Sequence, residues 1–128
     1  MIVAGFGCRP GARLEDFQSA LDIALQSAGC PKQMLSAIAL PHFRKDDEGA
    51  KAAMRQWPFS IAIIDQPALE QACTRAETRS ALAQAHTGLS SVAESAALAA
   101  AGKDSRLLAK RVSAGGVTCA IAIGEARL

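Results

Sequence analysis

The 128-residue sequence predicts an α/β domain: a mixed, mostly parallel five-stranded sheet, helices on both faces and an antiparallel hairpin at the C-terminus. Two observations carry this expectation. Short apolar runs alternate with segments of three- and four-residue periodicity through about the first hundred residues, as parallel βαβ crossovers require. Two further apolar runs then follow one another across a short Ser-Ala-Gly turn, which suits an antiparallel pair.

Ile2 to Gly7 is apolar and stops at the turn-forming cluster Gly7-Cys8-Arg9-Pro10-Gly11, so it reads as a first strand and a tight loop. Leu14, Phe17, Leu21, Ala24, Leu25 and Ala28 then recur at helical spacing, with Glu15, Asp16, Ser19, Asp22 and Gln26 opposite them and Gly29 as the C′ residue. Ala37 to His42 reads as the second strand, with Pro41 marking an edge or a terminated ladder. Asp46-Asp47-Glu48 places acids where a helix N-terminus favours them, Gly49 to Gln56 continues that helix, and Trp57-Pro58 ends it.

Phe59 to Ile64 has no polar alternation, the pattern of a strand covered on both sides. Asp65 is placed to cap a helix from Pro67 to Cys73, where proline in the first turn forfeits no hydrogen bond. Thr74 to Gly88 carries no decisive pattern. Ser91-Val92-Ala93-Glu94 has the form of a capping box, with Ser91 as N-cap and Glu94 reaching back, and Gly102 closes that helix. Arg106 to Val112 and Gly116 to Gly124 are the hairpin strands, joined by Ser113-Ala114-Gly115. Residues 1–128 are therefore expected to form a single domain.

Composition narrows the function classes. Half of the residues are hydrophobic and 28 are alanines, whereas 4% are aromatic, so the core should consist of closely approaching elements with small side chains. Fourteen Lys and Arg against 12 Asp and Glu give a net charge of +2, with adjacent basic residues only at Arg44-Lys45 and Lys110-Arg111. Neither bulk charge nor aromatic interleaving supports nucleic-acid binding. Cys8, Cys30, Cys73 and Cys119 have no CxxC or metal-ligand spacing, which points to a reducing cytoplasm and to no metal. Met1 to Cys8 has no basic region of a lipoprotein signal, and the apolar stretches fall below the roughly 20 residues that span a bilayer, so no membrane association is expected.

Between a strand and a helix, the Gly5 to Gly11 loop offers free N–H groups and a helix dipole to an anion. Its G-x-G-x-x-x-G spacing is not the dinucleotide fingerprint, and Pro41-His42 stands where a ribose-binding acid would. Turn geometry alone, carboxylate binding and, least favoured, a nucleotide-binding module are the readings of that loop. Cys8 and His42 fall near neighbouring strand ends, yet no third group orients them, so no catalytic residue is singled out. His86 reads as a surface residue, and two histidines without HxxxH spacing make no metal site. Lys45 follows the second strand on the same sheet edge as Arg9, where open α/β sheets bind ligands, although Arg44 to Gly49 also suits a solvated, helix-capping run. Lys110-Arg111 suits a charged edge strand, and Gly115-Gly116 a turn.

Three segments together resemble a known family: Gly5-Phe6-Gly7-Cys8-Arg9-Pro10-Gly11, Ser91-Val92-Ala93-Glu94-Ser95-Ala96-Ala97-Leu98, and Ala109-Lys110-Arg111-Val112-Ser113-Ala114-Gly115-Gly116-Val117-Thr118. In order and spacing they are similar to the cobalamin-biosynthesis family comprising CobE and the C-terminal domain of CbiG. Lys45-Asp46-Asp47-Glu48-Gly49 is similar to that family's K-x-x-E-x-G stretch with the glycine one place early. Pro10 departs from the second basic residue usual there, and the helix that follows lacks the usual Thr or Ser cap.

The resemblance implies a three-layer α/β/α domain with a role in building the corrin ring. Full-length CbiG-like proteins open a cobalt-precorrin lactone and release acetaldehyde, whereas the present chain is similar in size to the stand-alone form of the oxygen-dependent pathway. The partner so implied is a precorrin or related corrinoid intermediate, with other corrin-pathway enzymes as further partners and no cofactor of the protein's own. A flat macrocycle edged with acetates and propionates needs dispersed cations and N–H donors beside an apolar surface. Gly7, Cys8, Arg9, Gly11, Lys45, Lys110, Gly115 and Gly116 are the expected ligand-binding residues. The leading expectation is a binder or carrier, and the alternative a lactone hydrolase, alone or as part of a split enzyme.

Overall fold

A computed structural model describes residues 1–125. In chain order the elements are β1 (Ile2–Cys8), α1 (Leu14–Ala28), β2 (Ala37–Pro41), α2 (Glu48–Gln56), β3 (Ser60–Ile64), α3 (Gln66–Cys73), α4 (Ala81–Thr87), α5 (Val92–Ala101), β4 (Arg106–Ala114) and β5 (Val117–Ile123), with 3₁₀ turns at Lys32–Met34 and His42–Arg44. The sheet order is β3-β2-β1-β5-β4. β1 pairs parallel with β2, and β2 with β3, while β5 is antiparallel to both β1 and β4, so only β5 runs against the others. The fold is thus the mixed, mostly parallel α/β architecture with a terminal hairpin.

Alternation along the strands divides the core into two layers. Ala4, Phe6, Ile38, Leu40, Cys119 and Ile121 face α1 and α2, where Phe17, Leu21, Ala24, Ala50 and Ala53 meet them. Phe6 has no exposed surface and stacks on Trp57 at 5.4 Å between ring centroids. Burying one such side chain contributes about 1.5–3 kcal/mol. On the opposite face Val3, Ala37, Ala39 and Ala122 meet α3 and the alanines of α5. A Cβ at Gly5 would collide with the Ala93 carbonyl and the Ala97 amide, so α5 lies directly on the β1 backbone. The alanine-rich composition is the chemical counterpart of that approach.

Four local expectations are corrected. β3 is an edge strand and not one covered on both sides: Ile61 and Ile63 are 37% and 43% exposed, because α1 packs over β4 and β5 instead. Thr74 to Gly88 contains a helix, α4, capped by Ser80 Oγ accepting the Ala83 N–H at 3.2 Å and closed by Gly88 at φ 76°. None of its residues is buried, which left no apolar stripe to read. In the Ser91 capping box only half forms: Ser91 Oγ accepts the Glu94 N–H, but the Glu94 carboxylate turns inward. The hairpin turn is Gly115-Gly116, Ser113 and Ala114 belonging to β4. Gly115 has φ 58° and the Asp16 carboxylate fills the space of a Cβ, so glycine is required there.

Candidate functional site

The strand order reverses beside β1, and a groove of about 1110 Å³ opens at the C-terminal ends of β1 and β2, the place where open α/β sheets take ligands. Its floor is Gly7 and Cys8. A Cβ at Gly7 would press on Thr118 Oγ1 and Val92, so the strand end stays narrow enough for the chain to turn into Arg9 and Pro10. The Arg9 N–H donates to the Gly116 carbonyl at 2.8 Å, tying that loop to the hairpin turn. Gly11 N–H donates to Asp47 Oδ1 at 3.4 Å, which fastens the loop's far end to the start of α2.

Three arginines, Arg9, Arg44 and Arg111, line the groove, and no Asp or Glu does. None of the three has a carboxylate partner among the described residues, where the ion pairs are Arg13–Glu15 and Lys51–Glu48. Arg44 is anchored by its Nε donating to the Cys8 carbonyl at 2.8 Å, with its guanidinium over the Phe43 ring at 5.4 Å. The part of the lining from α4 and the start of α5 is more apolar, with Leu82, Ala83 and Val92 beside Ser80, His86 and Thr87. Leu82, on α4, is 65% exposed and, with Ala83 and Val92, gives the groove an apolar stretch.

Of the expected ligand-binding residues, Gly7, Cys8, Arg9, Gly115 and Gly116 line this groove, whereas Gly11, Lys45 and Lys110 do not. In both basic pairs it is the neighbouring arginine that lines the groove. The 3₁₀ turn at His42–Arg44 carries Arg44 back toward Cys8 and leaves Lys45 exposed. In β4 the pairing register shifts between Ala109 and Val112, so Arg111 lies on the groove and Lys110 outside it. Strict two-residue alternation cannot reveal such a bulge.

Glu94 is absent from the expected site but lies just behind it. It is fully buried. Its Oε1 accepts the Glu77 and Thr78 N–H groups at 2.8 Å each, and its Oε2 accepts the Thr78 hydroxyl and, at 2.8 Å, the Arg111 N–H. Burial pushes the carboxyl up, but the hydrogen bonds from Thr78, Arg111 and Glu77 outweigh it and hold it below the ordinary 4.5.

Burial, then the charge of Asp47, pushes the Cys8 thiol up to about 11 against the pull of Arg44, so it remains protonated near neutrality. His42 is turned away, its Nε2–H donating to Gln66 Oε1 at 2.9 Å. His86 is exposed on α4. Among the described residues no three His, Cys, Asp or Glu side chains converge as metal ligands, and no helix is long and apolar enough to cross a membrane.

Residues 2–122 match the family described as cobalamin synthesis G C-terminus. Protein CobE of Sinorhizobium sp is 29% identical over 121 residues, 94% of this chain and 79% of that one. The crystal structure of CobE, a protein from the cobalamin (vitamin B12) biosynthetic pathway, superposes with a TM-score of 0.86 at 30% identity, covering 95% of this chain and 89% of that one. The cobalamin biosynthesis protein ChiG of Agrobacterium tumefaciens str. C58 gives 0.75 at 34% identity, covering 98% and 100%.

Proposed function

Because the chain belongs to the cobalamin synthesis G C-terminus family, and with it to the proteins of cobalamin biosynthesis, we propose that its groove binds and carries a carboxylate-rich precorrin or corrinoid intermediate. The observation that carries this reading is the pairing of three arginines free of acidic partners with an exposed leucine in one groove. A corrin macrocycle presents the complement: peripheral acetates and propionates for guanidinium forks, and an apolar face for Leu82, Ala83 and Val92. Cys8 to Pro10 and the Gly115-Gly116 turn line the groove beside Arg9, and Lys45 and Lys110 add a longer-range positive field without touching the ligand. Other enzymes of the corrin pathway, in the cytoplasm, are the partners between which such a carrier works.

The test is a titration with hydrogenobyrinic acid, ATP and NAD under identical buffer, followed by absorbance and calorimetry. The corrinoid should bind most tightly, and equal or tighter nucleotide binding would overturn the reading. The alternative, lactone hydrolysis, needs a nucleophile and a base hydrogen-bonded to it; Cys8 stays protonated near neutrality, and His42 is hydrogen-bonded to Gln66 instead. Release of acetaldehyde from a cobalt-precorrin by this chain alone would make it the better account.

A further inference from the structure

We infer that Glu94 is a positioning residue for the groove: its one carboxylate holds the root of the α4 wall and the Arg111-bearing bulge of β4, and thereby sets the span between them. The inference rests on the carboxylate-binding reading of the groove only for its ligand arm. The two oxygens divide their work. Oε1 takes the N–H groups of Glu77 and Thr78, three residues or fewer before the Ser80 cap of α4. Oε2 takes the Thr78 hydroxyl and the Arg111 N–H.

Both held segments meet at that anchor. α4 buries none of its own residues, and it is tied at its start by the Ser80 N–H donating to the Ser90 carbonyl at 3.0 Å, by Arg79 Nη1 donating to Ser90 Oγ at 3.0 Å and by the Glu94 contacts just upstream. The register shift in β4 brings the Arg111 N–H to Glu94, while the same shift sets its side chain on the groove. A buried carboxylate is costly unless several donors converge on it, so an apolar side chain would be the easier filler if packing were the only requirement. Four donors from two separate segments instead make Glu94 a rigid spacer. Backbone N–H groups at 2.8 Å leave little play, and contacts to a bound ligand are sensitive to small shifts of the groups that make them.

Two measurements test this on the intact chain. Without ligand, amide hydrogen exchange in Glu94→Gln should quicken at Thr78 and Arg111 together while Ile121 in the sheet centre is unchanged. Thr78→Val, which removes only the hydroxyl contact, should give the same pattern more weakly and covers the case in which Glu94→Gln fails to fold. With hydrogenobyrinic acid as probe, Arg111→Met should weaken the parent about tenfold or more but the Glu94→Gln protein less than about threefold, because a displaced guanidinium has little left to lose. Equal factors in both backgrounds, or faster exchange at only one of the two segments, would overturn the positioning role. If the parent takes up no corrinoid while both amides loosen together, the ligand reading fails and the spacer stands.

Discussion

Replacing Arg44 by Met removes a charge from the groove and a hydrogen bond from the fold at once, and the two effects can be separated. Methionine preserves most of the stem and its contact with Phe43. What disappears is the 2.8 Å bond from Nε to the Cys8 carbonyl and the guanidinium over the Phe43 ring. A hydrogen bond from a charged donor contributes about 1.5–3 kcal/mol and an exposed cation–π contact about 0.5–1 kcal/mol. Because Arg44 is partly solvated, screening brings the sum to or below its low end, about 1–2 kcal/mol in all. With an unfolding entropy of about 2.1 cal/mol/K per residue, a chain of this length should lose about 4–7 °C of Tm. Arg9, exposed and with no side-chain bond to the fold, provides the contrast: Arg9→Met should leave Tm within about a degree. Corrinoid affinity should fall about tenfold or more in both variants, and Lys45→Met should change neither quantity much. Differential scanning calorimetry and a hydrogenobyrinic acid titration read the two effects. If both arginine variants bind as the parent does, or if Lys45→Met is the damaging change, the assignment of the groove's cations is refuted.

Gly5→Ala should be among the most damaging single substitutions, since its Cβ meets the α5 backbone and not a movable side chain; overpacking costs of about 3 kcal/mol or more, read as a drop in denaturation midpoint, are expected. Glu94 is held below its ordinary value of 4.5 in the folded chain, so its contribution is fully present above that value and is lost as pH falls through the folded value. Acid unfolding of Glu94→Gln should therefore show a shallower pH dependence below about 4.5 than the parent, and identical slopes would contradict the assignment. Burial raises Cys73 but hydrogen bonds from Ser90, Ser95 and Ser91 together outweigh it, whereas burial leaves Cys8 and Cys119 raised, so iodoacetamide at pH 7.5 should label Cys73 before either of them by mass spectrometry.

Elements defined by a strong periodic stripe were readable in advance. The α1 face of Phe17, Leu21, Ala24 and Leu25 and the first glycine loop are where the spacing places them. Asp65 does cap α3, accepting the Ala68 N–H at 3.0 Å. What failed to read was whatever depends on a neighbour in space. The apolar run of β3 looks the same in a central strand as in an edge strand, and only the sheet order distinguishes them. α4 had its Ser80 cap and Gly88 terminator, but without a buried stripe those signals carried little weight. At the groove, each basic pair named from the sequence contributes its arginine and not its lysine: a 3₁₀ turn and a β-bulge, both one-residue events, decide which side chain lines it. Ser91-Val92-Ala93-Glu94 read locally as a cap, yet its carboxylate is occupied by partners from Glu77 to Arg111 that no local pattern announces.

The most direct measurement is calorimetric titration of hydrogenobyrinic acid into the parent and into an Arg9→Met, Arg44→Met, Arg111→Met triple variant, at low and at physiological salt. Carboxylate recognition by three unpaired guanidiniums predicts saturable binding by the parent that weakens as salt rises, and its loss in the triple variant with the fold retained by circular dichroism. Binding that is indifferent to salt and survives in the triple variant would contradict the central claim.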